Sequence, residues 1–162
     1  MVKYSTWSRI PYDDSKYSPN KPNYIVVHHT YQPRSNSTGK TVVGNIEKYH
    51  TIQKGFNSIG YHYIIDSNGD VYEGRKERHN GAHCVGLNQI SLGICVIGNY
   101  DEGMDILTPK AETALFDLLT DIRSRYRNIT LSDIKGHRDF SDKSCPGDTL
   151  YQKLLQYKGD SQ

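Results

Sequence analysis

No stretch of this 162-residue sequence stays apolar for the roughly 18 to 20 residues needed to cross a bilayer, which excludes a membrane-spanning helix. The opening Met1-Val2-Lys3-Tyr4-Ser5 lacks the apolar segment of a signal peptide, so the expectation is synthesis in the cytoplasm without that route of export. Cysteine is scarce: Cys84, Cys95 and Cys145 make an odd set that cannot form a fully paired disulfide framework and suits a reducing site of synthesis. Charge of one sign is also missing. Twenty Lys and Arg residues stand against 18 Asp and Glu, a formal charge of +2, with no basic block, which argues against a dedicated nucleic-acid binder. No internal repeat, low-complexity tract or linker divides the chain, and its length suits one domain with a core of its own. Against one Trp and three Phe stand thirteen Tyr. Tyrosines in that number either line an amphipathic groove for a polar polymer or simply pad strands, and composition leaves both readings open.

The first 23 residues are polar, carry prolines at 11, 19 and 22, and read as an extended arm packed on the domain. Tyr24-Ile25-Val26-Val27-His28 reads as a buried central strand ending in a histidine. Val42, Val43, Ile46, Tyr49 and Ile52 predict a helix from Thr41 to Lys54, stopped by Gly55. Tyr61 to Asp66 and Val71 to Glu73 flank Ser67-Asn68-Gly69-Asp70, a hairpin in which Asn-Gly supplies positive φ angles. Ile90 to Ile97 reads as a second buried strand. Thr108-Pro109 is an N-cap with a first-turn proline, and the apolar spacing from Ala111 to Tyr126 marks one face of a long helix. Ile134 to Gly136 reads as a short strand ending at His137, and Thr149 to Tyr157 as a closing helix. Strands interleaved with helices, plus one hairpin, imply an α/β fold: a central mixed sheet flanked by helices over residues 24–157, with a tail at 158–162.

Two histidines, His28 and His137, stand at strand ends, where sites are commonly built. Cys145 follows His137 by eight residues, a span of about 26 Å if extended, so a shared metal requires the Arg138 to Ser144 segment to loop back. Its composition is loop-like. Two imidazoles and a thiolate are a sound zinc set that leaves one tetrahedral position open. The spacing is no generic metal motif, and by itself it does not separate a metal site from unrelated polar residues.

A series of motifs in fixed order adds context. Val26-Val27-His28-His29-Thr30, Gly60-Tyr61-His62-Tyr63, Val71-Tyr72-Glu73-Gly74-Arg75, Gly81-Ala82-His83, Asn88 to Gly93, Val96-Ile97-Gly98-Asn99-Tyr100, and Gly136-His137-Arg138-Asp139 through Cys145-Pro146-Gly147 follow one another. This series resembles the N-acetylmuramoyl-L-alanine amidase family of short phage lysozyme-type amidases and peptidoglycan recognition proteins, over roughly Tyr24 to Leu155. The resemblance implies one zinc ion held by His28, His137 and Cys145. His29 is not a ligand in that pattern, and strand alternation turns it to the opposite face from His28. Cys84 and Cys95 match no ligand position and read as buried free thiols, with a mutual disulfide as the alternative. The cysteine pair near the first helix usual in animal recognition proteins is missing, which points away from that secreted branch.

The resemblance further implies hydrolysis of the amide between N-acetylmuramic acid and L-alanine in bacterial peptidoglycan. Tyr61 would handle the proton and Lys143 would add positive charge to the developing oxyanion. Both auxiliaries matter more because a thiolate ligand weakens the metal's electrophilicity. Tyr31, Arg75, His79, Asn80 and His83 fall in loops that the resemblance places around the glycan-peptide groove, with Arg75 pairing a peptide carboxylate and His83 contacting the muramic acid. The expected partner is peptidoglycan, met by a monomer that engages neither nucleic acid nor membrane. A phage-type lysin, made in the bacterial cytoplasm and released onto the wall, is the corresponding location. Competing readings are a recognition domain that binds muropeptide without cutting it and a zinc peptidase acting on cross-links.

Overall fold

The apolar run that opens at Tyr24 becomes β1, Tyr24–His29, and sits inside a sheet because five of its six residues are buried. It extends one residue past the run read from sequence, since His29 still pairs with Val96. The computed structural model describes residues 1–160. After β1 come α2, Lys40–Ile52, the hairpin strands β2, Tyr63–Ile65, and β3, Val71–Glu73, then β4, Ser91–Val96. The long helix α3, Pro109–Arg125, precedes the short β5, Ile134–Gly136, and α4, Asp148–Asp160, closes the chain. The strand order is β3-β2-β4-β1-β5. β1 runs parallel to both β4 and β5, β4 runs parallel to β2, and β3 alone is antiparallel.

Strand alternation assigns each face. Ile25 and Val27 of β1 and Leu92, Ile94 and Val96 of β4 pack with α3 and α4, whereas Ile64 of β2 packs with α2 and the N-terminal residues Tyr4 and Trp7. Helix α3 forms as the sequence indicates: the Thr108 hydroxyl accepts from the Ala111 N–H, Pro109 opens the first turn, and Leu115, Leu118, Leu119 and Ile122 turn inward. Each such side chain contributes about 1.5–3 kcal/mol relative to leaving it exposed. Among the described residues, no helix is long and apolar enough to cross a membrane.

Three local expectations are corrected. The segment before β1 is not simply extended: it holds a helical turn, α1, Tyr4–Trp7, and a 3₁₀ turn, Asp14–Lys16. Tyr4 and Trp7 can be buried there because the Tyr4 hydroxyl donates to Glu47 and the Trp7 indole donates to the Glu73 carbonyl. The hairpin turn has positive φ only at Gly69, not at Asn68. Gly69 N–H bonds to the Asp66 carbonyl and Asp66 N–H to the Asp70 carbonyl, the pattern of a three-residue loop with a glycine bulge. Finally, α4 continues to Asp160, three residues into the stretch read as a tail, and the rest of that stretch lies outside the described residues.

Candidate metal centre and cleft

His28 is the penultimate residue of β1 and faces the α2 side of the sheet, in register with Cys95 of β4. His137 follows β5 directly, so the parallel pairing of β1 with β5 brings the two imidazoles to one end of the sheet, ring centroids 4.6 Å apart. Cys145 reaches them because the intervening loop does turn back. Arg138 N–H bonds the Cys145 carbonyl at 2.6 Å, and the Arg138 guanidinium bonds the Ser144 carbonyl and Asp148. Gly147 then presses the loop against the neighbouring turn: its φ is +90°, and a Cβ there would lie 2.5 Å from the Tyr100 carbonyl oxygen. The ligand atoms of His28, His137 and Cys145 all fall within 4.8 Å of one another, with Cys145 Sγ 3.7 Å from His28 Nδ1.

This donor set fits zinc. Burial, aided by His137, His29 and His50, keeps His28 well below the ordinary imidazole pKa. Burial, aided by Lys143, also lowers His137, so both offer lone pairs at neutral pH. Burial pushes the Cys145 thiol up to about 11, so a metal must displace its proton. Two imidazoles and one thiolate would hold zinc and leave one tetrahedral position for water or substrate.

That cleft has a volume of about 1140 Å³ and takes in His28, His137, Cys145, Tyr61, Lys143, Tyr31 and His83. The Tyr61 ring lies 5.3 Å from that of His28, and burial, with Cys95 and Cys145 nearby, holds its phenol well above its usual pKa. The phenol therefore keeps its proton at neutral pH. Lys143 lies exposed on the loop before Cys145. Tyr31 stands half-exposed at the rim with φ +62°, a backbone conformation that costs a non-glycine residue of order 1–3 kcal/mol.

A profile described as N-acetylmuramoyl-L-alanine amidase matches residues 18–148. The chain belongs to this amidase family. Peptidoglycan-recognition protein SC2 of Drosophila melanogaster is 31% identical over 156 residues, covering 95% of this chain and 84% of that protein. Among solved structures, the N-acetylmuramoyl-L-alanine amidase LysC from Clostridium intestinale URNW superposes with a TM-score of 0.76 at 31% identity, covering 96% of this chain and 94% of the other. Peptidoglycan recognition protein-LE, in complex with tracheal cytotoxin (monomeric diaminopimelic acid-type peptidoglycan), superposes with a TM-score of 0.83 at 26% identity, covering 96% and 92%.

Not every residue expected at the cleft of this amidase-family chain is there. Arg75 is buried outside it: its Nε donates to the Ile59 carbonyl, its Nη1 donates to the Asn80 carbonyl, and its guanidinium stacks 5.0 Å from the Tyr17 ring centroid. The guanidinium is thus held by the chain itself and does not line this cleft. His79 stacks on Tyr12 and Tyr17, and the Asn80 side chain accepts from Ser18 N–H, so both serve to hold the N-terminal segment. His29 accepts the Tyr100 N–H on the opposite sheet face from His28. Cys84 and Cys95 are buried and unbridged, so no disulfide joins them. The sequence reading missed His50, which lines the cleft next to Tyr61 while its Nδ1 accepts the Gly60 N–H. Its position one turn after Ile46 on the buried face of α2 was the available signal.

Proposed function

We propose that the protein hydrolyses the amide bond between N-acetylmuramic acid and L-alanine in bacterial peptidoglycan, with one zinc ion held by His28, His137 and Cys145. The observation that carries this reading is the complete donor set at the bottom of a cleft that also takes in Tyr61 and Lys143. When bound, zinc supplies a Lewis acid for the lactyl carbonyl and for activating water. Tyr61 contributes a protonated phenol close to His28, placed to hydrogen-bond the reacting oxygen and to pass a proton toward the leaving alanine amine. Lys143 brings positive charge to the cleft, where the oxyanion develops. Tyr31 and Tyr49, both exposed and on the cleft wall, present ring faces to the glycan and the stem peptide. Release onto the wall as a lysin fits this activity.

A recognition domain that binds muropeptide without cutting it is the second reading, favoured by the recognition proteins among the relatives. It gives no role to a half-buried thiol set against two neutral imidazoles. Mass analysis of purified peptidoglycan after digestion tests the choice. Free stem peptides with an alanine amino terminus, together with peptide-free glycan, are expected. Intact muropeptides retained on the protein would point to recognition, and new termini inside the cross-links to a peptidase.

A further inference from the structure

His83 was expected to touch the sugar, yet both of its ring nitrogens are already engaged. Its Nδ1 lies 2.9 Å from His28 Nε2, with the two rings at 88°, and its Nε2 lies 3.2 Å from Ser91 Oγ. Ser91 Oγ in turn lies 2.7 Å from the Leu87 carbonyl oxygen. That carbonyl can only accept, which fixes the direction of the chain. The Ser91 hydroxyl proton goes to Leu87, so Ser91 Oγ accepts from His83 Nε2–H. A neutral imidazole carries one proton, so His83 Nδ1 is bare and accepts from His28 Nε2–H. His28 is then left with its lone pair on Nδ1, the atom that faces Cys145 Sγ at 3.7 Å.

The fold builds a slot for this imidazole. A Cβ on Gly81 would lie 2.4 Å from His83 Cδ2, and one on Gly93 would lie 2.6 Å from His83 Cδ2 and Cγ. Either side chain would evict the ring. Gly93 is held by His62, whose Nδ1 accepts the Gly93 N–H at 2.9 Å. On the other side, Asn88 Oδ1 accepts from the backbone N–H groups of His83 and Cys84. These contacts fix the ring from several sides, as they would for a group that must hold another side chain still.

We infer that His83 is a positioning residue for the metal centre: it accepts the hydrogen bond from His28 Nε2–H and, with Ser91 and the Leu87 carbonyl setting the polarity, presents His28 Nδ1 bare to zinc. The opposite tautomer of His28 would put a proton on the ligand atom itself. The inference rests on the zinc reading above and gives His83 a task that does not involve the sugar. Partners of this kind, hydrogen-bonded to a ligating histidine, change metal affinity by about 10- to 100-fold when removed.

The test measures zinc affinity by competition with a chromophoric chelator for the parent, His83→Leu, His83→Asn and Ser91→Ala, alongside ¹⁵N spectra of the imidazoles in the metal-free parent. His83→Leu should bind zinc about 10- to 100-fold more weakly. His83→Asn, which keeps an acceptor near the Nδ1 position, should recover most of that loss. Ser91→Ala, buried outside the cleft, should weaken binding several-fold by releasing the polarity of the chain. The spectra should show His28 protonated at Nε2 and bare at Nδ1. A parent that binds zinc tightly while folded His83→Leu and Ser91→Ala bind it equally well would overturn the inference alone, as would a parent spectrum with His28 protonated at Nδ1. A parent that binds no zinc would instead sink the metal reading beneath it. If His83→Leu does not fold, Ser91→Ala and the parent spectrum decide.

Discussion

Acid should loosen this protein through two histidines that are not ligands. His50 and His62 are both buried, and burial lowers each from 6.5 to about 4. Each is neutral in the fold and uses Nδ1 as an acceptor, His50 from Gly60 N–H and His62 from Gly93 N–H. Because the folded values are depressed, the unfolded chain takes up protons that the fold refuses. The contribution to stability is therefore present above pH 6.5 and is lost as the pH falls toward about 4. For one such group, linkage gives a loss of roughly 2 kcal/mol between pH 7 and pH 5, and for the pair roughly 4 kcal/mol. The assay is urea unfolding of chelator-treated protein at those two pH values. In His50→Asn, which keeps an acceptor but cannot take the proton, the loss should shrink by roughly 2 kcal/mol. A parent whose stability is flat from pH 7 to pH 5, or a His50→Asn variant as acid-sensitive as the parent, would refute the reasoning. Protonation of folded His50 would break the bond to Gly60, next to Tyr61, so turnover should hold at pH 5 and fall only as the pH nears about 4.

Cys145→Ser should abolish stoichiometric zinc binding and lysis while leaving the circular dichroism spectrum unchanged, because the ligand comes from a loop; parent-like zinc content would mean the site is misassigned. Tyr61→Phe and Lys143→Met should each lower kcat on soluble muropeptide by roughly 10²- to 10³-fold with zinc content retained, and parent turnover in either would remove that residue from the mechanism. Arg75→Met should lower the unfolding midpoint while leaving KM near the parent value, since its bonds run to the Ile59 and Asn80 carbonyls; a large rise in KM with unchanged stability would return it to the substrate. Cys95→Ala should cost stability and leave the zinc content at one per chain, and loss of metal from the folded variant would contradict that.

The parts of the fold that were legible in the sequence are those coded locally. The β1 run, the Thr108-Pro109 start of α3 and the inward face from Ala111 to Ile122 all carry their signal within a few residues. The cluster of His28, His137 and Cys145 was legible through ordered motifs, and strand alternation alone separated His28 from His29. What was not legible depends on partners far along the chain. The resemblance placed Arg75 at the substrate, but its hydrogen bonds go to backbone carbonyls that only the folded chain brings to it. His83 meets its partner His28 across 55 residues, and no periodicity encodes that contact. The N-terminal turn was read as extended because Tyr4 and Trp7 become buried only when Glu47 and Glu73 supply their polar partners.

The donor set joins residues 117 positions apart, His28 and Cys145, across the last strand pairing of the sheet. During synthesis the chain therefore carries most of its sheet before it carries a centre. A nascent or truncated polypeptide that stops short of residue 145 has two imidazoles and no thiolate beside them. Long-range closure of this kind comes at a high entropic cost, so it belongs late in folding. The arrival of the third donor marks the moment when the β1–β5 edge and the loop before α4 are both in place.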